Sequence, residues 1–290
     1  VSDSLSILLS KRDGRRKVVN QLLLGALFLA ALSAVAPLVN IFIFVIRKGA
    51  PALTWEFLTS LPQPVGETGG GMGNAILGTI ILVSLASAIG VPLGVAAGVY
   101  MAEYSYSKLS RWLRFGVDLL TSVPSIIVGL FAYAMVVLPM KRFSAHAGGF
   151  ALAVIMIPTV ARTTEELLKL VPTHLREAGL ALGIPRWKVT LQVTLRTAWG
   201  GIMTGIMLAL ARAAGETAPL LITALNNKFW PRSLDQPISS VPVQIYTYAI
   251  SPFEEWHQQA WAGAFLLVAL VFALNLTTRL LMSRTPVSKD

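Results

Sequence analysis

The chain has 290 residues, of which 54% are hydrophobic and only 13% charged, and its mean hydropathy is +0.66. Soluble domains carry about 25% charged residues, so this composition argues against a water-soluble enzyme. The absence of cysteine excludes disulfides, iron–sulfur clusters and thiolate zinc sites. The net charge of +10, from 24 Lys+Arg against 14 Asp+Glu, would suggest nucleic acid in a soluble protein. Here the basic residues flank apolar runs, which points to membrane topology instead.

In chain order, a basic tail (1–17) with Lys11, Arg12, Arg15, Arg16 and Lys17 precedes the first expected span, Val18–Ile46. Ala34-Val35-Ala36 resembles a signal-peptide cleavage site. The length of the run and Pro37 just after it favour an uncleaved helix. A loop over 47–73 ends in Thr68-Gly69-Gly70-Gly71-Met72-Gly73-Asn74, either a flexible loop or a backbone anion cradle with Asn74 as helix cap. The second span, Thr68–Ala102, carries Gly90, Gly94 and Gly98 on one face, a ladder for close helix approach. The third, Leu119–Met140, contains Ser122-Val123-Pro124-Ser125, where proline removes a backbone donor. That break is read as a structural kink or as the wall of a substrate path. The fourth span, Phe143–Ala161, ends at Arg162, a simple anchor or a second anion contact.

The fifth span, Thr197–Ala224, repeats the small-residue ladder with Gly201, Gly205, Ala209 and Ala213. It also holds Arg212 and Glu216, four residues apart on one helix face. Counting about 1.5 Å per residue from Thr197 puts Arg212 roughly 22 Å in, past the middle of a core about 30 Å thick. A charge there costs about 2.5–3.5 kcal/mol or more. Two readings compensate that cost. One is an internal ion pair locking the helix to its neighbours. The other is an anion pathway, in which the guanidinium fork receives a tetrahedral oxyanion, Glu216 positions Arg212 or repels anions, and Thr217 adds a hydroxyl. The sixth span, Trp256–Thr278, follows a turn-rich loop, with Trp230, Trp256 and Trp261 as interface anchors.

Six spans place both termini on one side. That side collects 17 basic residues, including Arg279, Arg284 and Lys289, against 6 on the other (Arg47, Lys48, Lys141, Arg142, Lys228, Arg232). Both termini are therefore expected in the cytoplasm.

Between spans four and five, Pro172 breaks the preceding helix, Thr173 caps a new one, and Gly183 and Pro185 stop it. Leu175 and Leu182 are expected on one side of this short helix, with Ala178, Gly179 and Ala181 keeping it slim enough for a partner's groove. Glu177-Ala178-Gly179 followed by Gly183 resembles the EAA loop of ABC importer permeases, although a second alanine usually stands at the position of Gly179. The stretches Gly201–Gly205, Ala211–Leu221, Ala161–Glu165, Val123–Leu130, Gly73–Thr79 and Ser251–Trp256 resemble the PstA type of phosphate permease subunit, and the likeness runs from about Gly70 to the end.

The resemblance implies an all-α, six-transmembrane-helix permease of the type I importer class with a MetI-like bundle and a cytoplasmic coupling helix. It would comprise a tail (1–17), a first helix (18–46), a periplasmic loop (47–73), a five-helix core (74–284) including the EAA loop (162–196), and a C-terminal tail (285–290). It implies phosphate import across a bacterial inner membrane, with Arg162, Arg212, Glu216 and Thr217 on the substrate pathway. Glu177, Ala178, Gly179, Leu182 and Gly183 would couple to an ATPase. The implied partners are a second permease of PstC type, an ATP-binding dimer of PstB type, a periplasmic phosphate-binding protein of PstS type, and membrane lipid; no nucleic acid and no cofactor is implied. The chain has no G-x-x-x-x-G-K-[ST] motif, and His146, His174 and His257 lack metal-ligand spacing. Sulfate, molybdate or phosphonate cargo, or a non-transporting signalling scaffold, are the competing expectations.

Overall fold

The computed structural model describes residues 2–64, 67 and 69–283. Thr68, Arg284, Lys289 and the tail 285–290 lie outside those residues, as do the side chains of Lys11, Arg12, Arg15 and Arg279. All regular secondary structure among the described residues is helical, as lipid demands of a chain that must satisfy its own backbone groups. The helices are α1 (Ser2–Gly49), α2 (Trp55–Thr59), α3 (Gly73–Glu103), α4 (Lys108–Ser122), α5 (Ser125–Ala132), α6 (Leu138–Met140), α7 (Ala145–Lys169), α8 (Thr173–Ala181), α9 (Arg186–Val189), α10 (Leu195–Ala214), α11 (Ala218–Leu221), α12 (Val241–Ala249) and α13 (Glu254–Ser283). A π-helical turn joins α5 to α6 and another joins α9 to α10. Five helical segments are long and apolar enough to cross a membrane, and α4 with α5–α6 forms a sixth, bent unit.

The centre of the bundle is α7, and both small-residue ladders pack on it. A methyl group built on Gly90 would touch Met156 and Ala153, one on Gly94 would stand 2.7 Å from the Val160 Cβ, and one on Gly98 would stand 2.6 Å from the Ala161 carbonyl oxygen. From the other side, Gly205 lies against Thr163 and Gly201 against Leu167. Helices α3 and α10 can approach this closely only because those positions lack side chains. By contrast, α1 has almost its whole apolar surface exposed. It leans on α13, where Gly49 meets the Trp261 carbonyl and Phe44 meets the Trp261 ring edge-on at 5.0 Å. The helix also runs unbroken through the basic tail and past Pro37.

Several local expectations are corrected. The break at Pro124 is far more than a kink: α4 and the α5–α6 segment meet at 106°. Val123 and Pro124 are extended, so the chain leaves α4 before the proline ring could clash with it. Ser122 donates to the Leu119 carbonyl and so satisfies one group at that end. The helix α3 is preceded by Met72, and Asn74 is not its cap; that side chain is buried and donates to the Asn227 carbonyl at 2.5 Å. The glycine loop is not an open cradle either. Its N–H groups are spent internally, Gly70 on the Glu56 carboxylate, Gly71 on Leu61, Met72 on Phe57 and Gly73 on Ser60. Trp256 packs on Tyr248 at 4.9 Å and on Phe253 at 5.7 Å, and the Trp230 ring covers Gly73.

Candidate functional site

The helix expected to run through 197–224 stops at Ala214. Gly215 N–H closes back on the Arg212 carbonyl, Glu216 N–H on that of Ala213, and α11 opens only at Ala218. Pro219 follows in the first turn of α11, where it needs no N–H. Arg212 therefore occupies the last turn of a helix end, where the exposed carbonyl dipoles favour a cation. Its Nε lies 3.7 Å from Glu216 Oε1, with the arginine side chain 56% exposed and the glutamate only 16%. The carboxylate is thus held by the protein while the guanidinium reaches out of this chain. Thr217 starts α11 without capping it through its hydroxyl. Next to this break, Gly129 of α5 lies against Pro219, so the helix beyond Pro124 abuts the α11 turn.

The ladder contacts fix relative depth. Gly205 faces Thr163 and Gly201 faces Leu167, so α10 and α7 run antiparallel. Arg162 then sits roughly 10 Å from Arg212 along the bundle, toward the end that carries Lys169, at about 1.5 Å per residue. Arg162 is half exposed and already engaged: its Nε donates to Glu166 at 2.9 Å and its Nη1 lies 3.6 Å from Asp118 of α4. The i,i+4 spacing of Arg162 and Glu166 was visible in the sequence. The approach of Asp118, from the separate helix α4, was not.

At the Lys169 end of the bundle lies a second ionic group that the sequence did not reveal. Glu165 of α7, 1% exposed, accepts from Arg114 Nε at 2.6 Å and from Lys169 at 2.5 Å. Arg114 also donates to the Met101 carbonyl in the last turn of α3 and to the Ser105 carbonyl just beyond it. Arg176 of α8 lies 3.4 Å from the buried Glu103 carboxylate and donates to the Leu168 carbonyl. Arg186 donates to the Glu103 carbonyl and stacks over Tyr104 at 4.8 Å. These contacts tie α8 and the start of α9 to the ends of α3 and α7.

The short helix between spans four and five forms as expected, with differences in detail. Pro172 stands at the cap position and Thr173 is already the first helical residue. Gly183 adopts a φ of +75° with open space around it, so it is the backbone conformation that requires glycine there. Gly179 is buried, and a methyl there would stand 2.9 Å from Val189 Cγ2, which explains the departure from a second alanine. Leu175 and Leu182 do not share a side: Leu175 packs on the core, whereas Leu182 lies past the helix end, 79% exposed. Glu177, Ala178, Leu182 and Gly183 are all exposed, leaving an uncovered surface on α8.

Residues 90–285 match the family of binding-protein-dependent transport system inner membrane components. The phosphate transport system permease protein PstA of Pasteurella multocida is 46% identical over 91% of this chain and 95% of its own length. That of Yersinia pestis is 44% identical over 94% and 93%. The chain belongs to this permease family, on its PstA branch. Its fold matches the inward-facing MetNI methionine ABC transporter, with a TM-score of 0.60 at 21% identity, covering 73% of this chain and 93% of that one. It also matches a bacterial ABC transporter involved in import of the acidic polysaccharide alginate, with a TM-score of 0.53 at 15% identity, over 88% and 96%. At those identities the structural likeness establishes the MetI-like permease fold. The chain is a multi-pass inner-membrane permease subunit.

Proposed function

We propose that this chain is one membrane-spanning half of an ATP-driven importer of inorganic phosphate. The observation that carries the reading is Arg212: a guanidinium at a broken helix end within an apolar span, paired on one edge and open on the other, in a chain 46% identical to a PstA permease. A cation so placed costs free energy in lipid, and an anionic cargo offsets that cost. Arg162, roughly 10 Å further toward the Lys169 end, is the second step of the route, and Thr217 adds a hydroxyl beside Glu216.

Both termini are cytoplasmic in this reading, so α8 faces the cytoplasm. ATP hydrolysis belongs to a PstB-type dimer that receives the exposed surface of Glu177, Ala178, Leu182 and Gly183, with Gly179 holding the helix tight on Val189. A PstC-type permease supplies the other half of the pathway, and a PstS-type binding protein delivers phosphate from the periplasm. The organisation is a tail (1–17), a first helix (18–46), a periplasmic loop (47–73), a permease core (74–284) with its EAA loop at 162–196, and a tail (285–290). Closure of the ATPases moves α8, and the ties from Arg176 and Arg186 to Glu103 carry that movement into α3. Affinity at Arg212 must stay weak, because a tightly held ion would not leave.

The test is phosphate uptake by the assembled complex in proteoliposomes with Arg212→Ala. The expected result is loss of uptake with the complex intact; undiminished uptake overturns the pathway role.

A further inference from the structure

Arg162 of α7 and Arg212 of α10 share a device. Arg162 and Arg212 each bind, through Nε, the carboxylate four residues later, Glu166 at 2.9 Å and Glu216 at 3.7 Å. The two devices are loaded differently. Arg162 is met from a second side by Asp118. Among the described residues, Glu216 is the only carboxylate within ion-pair distance of Arg212, so its Nη edge faces no second acid. Glu216 is mostly buried whereas Arg212 is mostly exposed, so the acceptor is the fixed member of the pair and the donor fork the presented one.

From this asymmetry we infer that Glu216 is a specificity-determining residue, selecting tetrahedral oxyanions that still carry a proton. The inference rests on the pathway reading of Arg212. An ionised carboxylate can only accept hydrogen bonds. Near neutral pH inorganic phosphate retains at least one proton, whereas sulfate and molybdate retain none. A phosphate with two oxygens on the Arg212 fork can turn its P–OH toward Glu216, replacing charge repulsion with a charge-assisted hydrogen bond. Sulfate in the same place has no proton to offer, and its oxygens face an anion a few ångströms away in a poorly solvated site. A site that needs a substrate hydroxyl rejects the analogue lacking it more strongly than an apolar pocket rejects a missing methylene, and an unpaired like charge is a means of exclusion. The carboxylate thus sorts the cargoes that charge alone leaves equivalent: phosphate on one side, sulfate and molybdate on the other.

The experiment uses the purified permease–ATPase complex without its delivery protein, so that no earlier selection intervenes. Weak binding of inorganic phosphate is read by phosphorus NMR line broadening, with sulfate as competitor. In the unaltered complex a roughly tenfold excess of sulfate should be needed to halve the broadening, and in Glu216→Gln about equimolar sulfate should halve it, a loss of preference of roughly tenfold. Glu216→Asp, which keeps the acceptor, should retain most of the preference. An unchanged preference in Glu216→Gln overturns the inference, as does loss of binding of both anions, which would make Glu216 a strut for Arg212 only. Equal competition by sulfate in the unaltered complex overturns it as well. Arg212→Ala separates the two levels: broadening that persists there defeats the pathway reading itself, whatever Glu216 does.

Discussion

Two ionic regions of this permease use the same residue types for opposite ends. At the Lys169 end of α7, Glu165 is 1% exposed and closed in by Arg114 and Lys169, while Arg114 is further spent on two carbonyls. Within the spans, Arg212 is 56% exposed and holds Glu216 at 3.7 Å on one edge. The first group turns its contacts inward: Arg114 and Lys169 share Glu165 Oε1, Oε2 is buried without a hydrogen-bond partner, and the group joins α7 to α4 and to the end of α3. The second is under-committed on its outer side, and an open guanidinium edge in an apolar span has a use only if something anionic visits it. The direction in which the cation's contacts are spent, more than charge or depth, distinguishes the two regions.

The largest expected effect breaks the inward-facing region. Glu165→Ala leaves Arg114 and Lys169 facing each other without their acceptor, and removing one partner of a buried pair costs about 3–5 kcal/mol. Thermal unfolding in detergent should show a much lowered midpoint and poor assembly. An unchanged midpoint would mean that the Glu165 cluster is not structural. Arg212→Ala should do the reverse, lowering phosphate uptake roughly a hundredfold, or about 2.7 kcal/mol, while the unfolding midpoint stays close to that of the parent. A matching fall in stability would erase the distinction between the regions.

Two smaller effects sharpen the mechanical side. Gly94→Leu drives a side chain into Val160 and should cost about 1–3 kcal/mol, read as a lowered midpoint and weakened α3–α7 packing. Gly183→Ala forces a left-handed conformation on a residue with a Cβ, at about 1–2 kcal/mol. It should raise ATP hydrolysed per phosphate moved, with little change in binding at Arg212; unaltered coupling would count against α8 as the ATPase contact.

The sequence disclosed what depends on runs and spacing. Apolar lengths placed the spans, and the glycines at 90, 94 and 98 announced a close helix contact that proved to be with α7. Pro172 and Gly183 bounded α8 nearly to the residue. The rest depended on geometry that spacing does not carry. Asn74 looked like a cap because its partner, the Asn227 carbonyl, lies 153 residues away. The glycine loop looked vacant because its acceptors come from α2 and the segment after it. Arg114 and Glu165 are 51 residues apart and meet where α4 packs on α7. Arg212 and Glu216 were found by their improbability in an apolar run, but the end of the helix between them was not, since Gly215 alone does not stop a membrane helix.

The most direct test of the central claim uses the absence of cysteine from this chain. Arg212→Cys introduces a single thiol, and only its thiolate reacts with an anionic, water-soluble thiosulfonate. In the assembled transporter the account predicts modification of that position by the water-soluble reagent. Reaction with a membrane-permeant reagent alone would place position 212 against lipid or in a sealed contact and contradict the account.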